Sequence, residues 1–133
     1  MNEQTITEAH GACRRIYTAL TELLELTNEL SEAIQRQDQV SVQLFLSMRQ
    51  EPLEQLRVYD ARLRRLCSLL PQAEGAQLRQ VLNGQSGGTA ATQGLERTVR
   101  QNRQLLEQIT RIDERINRRM GGKKSFYEKN ASQ

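Results

Sequence analysis

Apolar residues in the first quarter of the chain recur at intervals that alternate between three and four. The series is Ile6, Ala9, Cys13, Ile16, Leu20, Leu23, Thr27, Leu30 and Ile34, in which threonine is the one polar member. This spacing places a single apolar stripe along one face of a helix. The pattern therefore predicts a long amphipathic helix over residues 5–37.

A second apolar series of the same kind follows a short polar stretch. It comprises Val42, Phe45, Met48, Leu53, Leu56, Tyr59, Leu63, Leu66 and Leu70. Asp38 is a good N-cap residue and predicts the start of a helix over 39–70. Because the turn is so short, we expect the first two helices to be antiparallel. Pro52 lacks a backbone N–H and is expected to kink or split the second helix near Met48–Pro52.

A short helical pattern and a glycine-rich connection come next. Residues 72–83 predict a short helix that Gly84 ends. The stretch "GQSGGTAATQG" at 84–94 holds four glycines and indicates a flexible connection. The last predicted helix begins within this stretch and covers about 90–120.

The last helix carries its own apolar stripe. The stripe comprises Leu95, Val99, Asn102, Leu105, Leu106, Ile109, Ile112, Ile116 and Met120. Two glycines end this helix, and residues 121–133 are expected to be a disordered tail. The sequence therefore predicts an all-α fold. We expect an elongated antiparallel bundle of three long, coiled-coil-like helices, with a short helix and a flexible C-terminal tail.

The apolar content of 37% is low, so the three helices are expected to bury only a small apolar core between them. We therefore expect either exposed apolar surface or a partner protein that covers it. A second copy of this chain, which would form a homodimer, is one candidate for that partner. The stripe of the last helix permits two interpretations. It either belongs to the core, or part of it receives the amphipathic helix of a substrate protein. Both interpretations stay open on the sequence alone.

Charge is distributed unevenly along the chain. Residues 1–37 hold three basic and six acidic side chains, and residues 91–133 hold ten basic and five acidic ones. The last helix contains an arginine stripe, namely Arg97, Arg100, Arg111, Arg115 and Arg118. Together with Lys123, Lys124 and the Phe126–Tyr127 pair, this stripe is the basis of an alternative function, a basic helical module that binds single-stranded nucleic acid through phosphate contacts and base stacking. We consider that alternative less favoured because acidic residues interrupt the stripe; a structural coiled-coil adaptor is the third candidate.

Candidate chemistry is sparse. "GQSGG" around Ser86 matches G-x-S-x-G, but no strand precedes the serine and His10 is the only histidine in the chain. Four glutamates at helical spacing between residues 22 and 32 lack the histidines of a metal site. Cys13 and Cys67 are expected to be buried free thiols. We therefore predict no catalytic residue, no metal and no cofactor.

The N-terminal residues contain no basic start or apolar run of a signal peptide, and no stretch of about 18 apolar residues occurs. We expect a cytoplasmic protein without membrane insertion.

Several local features resemble the flagellar type III export chaperones of the FlgN/FliT type. In "LTNELSEAIQRQDQVSVQLFLSMRQEPLEQL", a leucine-rich helix ends, an acidic residue begins the next helix and an arginine follows about ten residues later. The matching positions are Leu30, Asp38 and Arg49. The similarity covers most of the chain.

Two further features are similar to that family. The segment "QNRQLLEQI" resembles its late N-x-x-L-L segment, at Asn102, Leu105 and Leu106. The family often ends in a tail that contains a tyrosine, where this chain has Tyr127 next to Phe126.

The resemblance implies a cytosolic, non-enzymatic chaperone. Such a protein binds the amphipathic C-terminal segment of late flagellar substrates, which are hook–filament junction or cap proteins, and escorts them to the export gate. It further implies that Phe126 and Tyr127 form a docking peptide for the export apparatus. The alternative for these two rings is that they pack on the end of the last helix.

Overall fold

The computed structural model describes residues 1–85 and 88–119. Those residues form helices and short connections without a strand, which confirms the predicted all-α class. The α-helices are α1 (Glu3–Gln35), α2 (Gln39–Met48), α3 (Gln50–Leu69), α4 (Gln72–Leu82) and α5 (Gln93–Arg119). A 3₁₀ turn at Ala90–Thr92 precedes α5. The predicted tail lies outside the described residues.

The first helix begins two residues earlier than its apolar stripe suggested. The side chain of Asn2 accepts a hydrogen bond from the backbone amide of Thr5 at 2.8 Å and so caps the helix. At the next helix start, the Asp38 carboxylate accepts from the amide of Ser41 at 3.1 Å and from its hydroxyl at 2.6 Å. These hydrogen bonds lower the pKa of Asp38. Asp38 is therefore the N-cap that the sequence predicted.

The turn between α1 and α2 contains a residue in a left-handed backbone conformation, Gln37, with φ of 57°. The amide of Gln37 donates to the carbonyl of Ile34 and that of Asp38 to the carbonyl of Ala33, both at 3.0 Å. This pair of bonds is a Schellman motif, which usually has glycine at the left-handed position because a side chain there crowds the backbone. The motif ends α1 and directs α2 back along it.

The second predicted helix is divided into α2 and α3 at Arg49, close to Pro52 as expected. Proline at the third position of α3 has no amide to donate, and its ring crowds the carbonyl four residues earlier. Arg49 is itself buried, and its Nη2 lies 3.4 Å from Oδ2 of Asp113 in α5. An ion pair thus joins the α2–α3 junction to α5.

The core lies along α1, on which α2, α3 and α5 all pack. At the start of α1, the buried side chains are Ala9, Ala12, Cys13, Leu63, Cys67, Leu78, Val81, Leu95 and Val99. In the middle they are Leu20, Leu23 and Ile109. At the far end they are Leu30, Ala33, Val42, Leu46, Ile112 and Ile116. Within the described residues, α3 and α5 each contact α1 extensively and contact one another very little.

No helix in the described part of the chain combines the length and the apolar character that crossing a membrane requires.

Replacing Gln37 with glycine is expected to raise the free energy of unfolding by about 1 kcal/mol, because glycine adopts a positive φ without strain. Gln43, which is exposed within α2, provides the matched control. Gln43→Gly is expected to lower the free energy of unfolding by about 0.5–1 kcal/mol, since its backbone is helical. Chemical denaturation measures both. A loss of stability in Gln37→Gly would contradict the Schellman description.

Candidate binding groove

A groove of about 790 Å³ runs between α3 and α5, with α1 as its floor. The floor is formed by Cys13, Ile16 and Leu20 of α1. The groove exists because α3 and α5 pack on two sides of α1 without closing on each other. Its volume lies in the range of pockets that hold ligands.

The two walls of the groove are mainly apolar. Leu56, Leu63 and Cys67 contribute from α3, at spacings of seven and four that keep them on one helix face. Val99 and Leu106 contribute from α5, and their spacing of seven residues places them on the same face of that helix. A helix that entered the groove would therefore contact aliphatic side chains on three sides.

The end of the groove near the start of α1 is closed by α4, which contributes Leu82 and Asn83. The short distance between α4 and α3 depends on Gly75, because a Cβ atom at this buried position would lie 2.6 Å from the carbonyl oxygen of Cys67. Gly84 ends α4 with φ of 75°. A Cβ atom there would lie 3.1 Å from the guanidinium of Arg103, so that side chain extends over the end of α4.

The charged side chains around the groove are mostly basic. They are Arg57, Asp60, Arg64, Arg79 and Arg103. Arg57 Nη1 lies 3.0 Å from Oε2 of Glu54, and Arg64 Nε lies 3.0 Å from Oδ2 of Asp60. Within the described residues, Arg79 and Arg103 form no ion pair.

Both cysteines line the groove, and both are buried free thiols, as the sequence predicted. Burial raises the pKa of Cys13 to about 11. Burial also raises the pKa of Cys67, although the nearby Arg79 opposes the effect. At neutral pH both groups are thiols rather than nucleophilic thiolates.

Three polar contacts hold α5 in register with the rest of the chain. Nδ2 of Asn102 donates to the backbone carbonyl of Cys13 at 3.0 Å. His10 Nε2 and Thr98 Oγ1 share a hydrogen bond of 2.9 Å. Burial, and secondarily a neighbouring arginine, lower the pKa of His10. Together with the ion pair between Arg49 and Asp113, these hydrogen bonds join α5 to α1 and to the α2–α3 junction.

The structure divides the predicted substrate-binding stripe of α5. Its buried members, which pack on α1 or α4, are Leu95, Val99, Ile109, Ile112 and Ile116. Leu105 and Asn102 are half-buried, and Leu106 is exposed. Among the members of the stripe that the structure describes, only Val99, Asn102 and Leu106 line the groove. Met120, Phe126 and Tyr127 lie outside the described residues.

The α1 and α3 sides of the groove were not among the predicted site residues. Ile16, Leu20, Leu56 and Leu63 appeared in the sequence only as members of apolar stripes. No signal in those stripes distinguishes a residue that fills the core from one that borders a groove.

The other candidate sites do not gain support from the structure. Ser86 lies outside the described residues. The four glutamates of α1 are exposed, and no group of His, Cys, Asp or Glu side chains in the described residues is arranged to hold a metal ion. The arginine stripe of α5 is exposed, and Arg111 Nη2 lies 3.8 Å from Oε2 of Glu107.

Replacing Gly75 with alanine is expected to lower the free energy of unfolding by about 1–3 kcal/mol, because the added methyl group forces α4 away from α3. Gly11 is the matched control, since it lies in α1 with no atom within 4 Å of a Cβ added there. Gly11→Ala is expected to raise stability by about 0.4–1 kcal/mol. Thermal and chemical denaturation compare the two variants. Equal effects of the two substitutions would contradict the close contact at Gly75.

Comparison of this chain with protein-family models, with curated proteins and with solved structures finds no match. The groove and the residues that resemble the export chaperones are therefore the features from which a function can be inferred.

Proposed function

We propose that this chain is a non-enzymatic export chaperone that binds an amphipathic helix of its substrate protein in the groove between α3 and α5. The observation that supports this proposal is the aliphatic groove itself, which lies between two helices that pack on a third. Binding an apolar helix face in such a groove is a common mode of protein recognition.

The dimensions of the groove suit a helix. Its α3 wall runs from Leu56 to Ser68, which is about 18 Å at 1.5 Å per residue, or about three helical turns. The direction of the helices is also suitable. From its N-terminus to its C-terminus, α3 runs from the cluster at the middle of α1 to the cluster at the start of α1. In the same sense, α5 runs from the cluster at the start of α1 to the cluster at its far end. Along α1, α3 thus runs in the opposite direction and α5 in the same direction. The proposed substrate helix would lie between α3 and α5 as a further helix of the bundle.

The flagellar assignment comes from the resemblance. We propose that the substrates are late flagellar proteins of the hook–filament junction or cap type, bound through their amphipathic C-terminal segments in the cytoplasm. The matching residues have structural roles in this fold. Leu30 is fully buried, Asp38 caps α2, Arg49 pairs with Asp113 and Asn102 binds the Cys13 carbonyl. The resemblance supports the flagellar part of the proposal, and the groove supports the binding of a helix.

Nucleic-acid binding remains the alternative, because the arginine stripe of α5 is exposed. Two observations weigh against it. Acidic residues interrupt the stripe, since Asp113 and Glu114 lie between Arg111 and Arg115. The stripe also includes Arg111, which lies close to Glu107. Negligible binding of a single-stranded oligonucleotide at physiological salt is the expected result.

Leu106 provides the direct test of the groove, because it lines the groove and is 51% exposed, so that its replacement leaves the core intact. Leu106→Gln is expected to weaken binding of a C-terminal peptide from a hook–filament junction protein about tenfold or more, since a buried leucine contributes about 1.5–3 kcal/mol. Leu44, which is 53% exposed on α2 and lies outside the groove lining, is the matched control.

Titration calorimetry with the unaltered chain, Leu106→Gln and Leu44→Gln measures the effect. Affinity is expected to fall in the first variant alone. An equal fall in both variants, or in neither, would show that the peptide does not bind in the groove.

The tail carries a separate prediction. Changing Phe126 and Tyr127 to alanine is expected to leave the melting temperature and the peptide affinity unchanged, while binding to the export apparatus weakens. Thermal denaturation and a binding assay with the export-gate components measure these effects. A melting temperature lower by several degrees would show instead that the rings pack on the helices.

A further inference from the structure

The basic side chains that border the groove are the basis of a more specific inference about its partner. Four arginines and one aspartate line it. They occur on every helix that forms its walls and its closed end, with Arg57 and Arg64 on α3, Arg79 on α4 and Arg103 on α5. An occupant of the groove therefore lies between positive charges on both sides.

Two of these arginines have acidic neighbours on their own helix. Arg57 and Arg64 lie 3.0 Å from Glu54 and Asp60, respectively, so their charges are partly neutralised. Arg79 and Arg103 differ, because no ion pair involves either one within the described residues. The excess positive charge is thus concentrated where α4 closes the groove.

We infer that the groove selects an amphipathic helix whose apolar stripe is flanked by aspartate or glutamate residues, with acidic residues near the end that lies at α4. This inference rests on the proposed function and specifies its partner. A helix with neutral flanks would displace water from the arginine side chains without offering a charged partner in its place. A helix with lysine flanks would be repelled by the arginines. A carboxylate accepts two hydrogen bonds from one guanidinium, which makes it the best partner for these side chains.

The same arginines are less suited to nucleic acid. Phosphates could contact the border of the groove, but the bases would then lie against aliphatic side chains that offer no stacking surface. One kind of ligand matches both the apolar floor and the basic border of the groove. It is a helix that carries an apolar stripe with acidic residues on either side.

The test uses three stapled helical peptides of about three turns, a length matched to the α3 wall. They share one leucine stripe and differ only in their flanking residues, which are all Glu, all Gln or all Lys. Fluorescence anisotropy measures their affinity for the full chain at low and at high salt. We expect the Glu peptide to bind about tenfold more tightly than the Gln peptide at low salt, the Lys peptide to bind most weakly, and the differences to shrink as salt screens the charges.

A double variant assigns the preference to specific side chains. Arg79→Gln with Arg103→Gln is expected to reduce severalfold the ratio of the affinity for the Glu peptide to the affinity for the Gln peptide, because the two arginines that form no ion pair in the described part of the chain are lost. Arg115→Gln with Arg118→Gln removes two exposed arginines of α5 that lie outside this groove and is expected to keep the preference. Melting temperatures show whether either variant has lost its fold; with the exposed side chains replaced, we expect both to remain folded.

The possible failures are distinguishable. Equal binding of the Glu and Gln peptides would overturn the inference of an acidic partner and leave helix binding in place. Failure of all three peptides to bind would overturn the proposed function and this inference with it. Binding of single-stranded oligothymidylate at physiological salt that depends on Arg79 and Arg103 would assign the groove to nucleic acid instead.

Discussion

The structure depends on the packing of α3 and α5 against the same helix, α1. Each of them buries apolar side chains on α1. They contact each other very little, because they pack on two sides of α1. Aliphatic side chains on their facing sides, such as Leu56 and Leu106, are thus only partly covered. The groove is therefore a direct result of how α3 and α5 pack on α1.

Polar contacts and one glycine fix the geometry of this groove. Gly75 permits α4 to approach α3 and close one end. Along α5, hydrogen bonds from His10 and Asn102 and the ion pair of Arg49 set the register relative to α1 and the α2–α3 junction. The connection before α5 is rich in glycine, yet these contacts join α5 to α1 and to the α2–α3 junction. They hold α5 in the position in which it forms one wall of the groove.

Much of the fold was predictable from local chemistry. The apolar stripe of α1, the N-cap Asp38 and the division of the second helix near Pro52 each follow from rules that involve only neighbouring residues. The candidate site was predictable only in part, since three of its residues were members of the predicted α5 stripe. The remaining groove residues, such as Leu63, line the site because α3 and α5 leave a gap between them. That gap results from the packing of all the helices together, and the apolar stripe of one helix does not reveal it.

The position of Cys13 and Cys67 in the groove has a chemical consequence. The Cys13 thiol, with a pKa of about 11, is almost entirely protonated at neutral pH, and both cysteines are buried from reagents. Their rate of alkylation is therefore proportional to two small fractions, the fraction of molecules in which local unfolding exposes the thiol and the fraction of exposed thiol that is thiolate. A helix bound over the two sulfur atoms would reduce the first fraction further. Alkylation of the cysteines thus reports whether the groove is occupied.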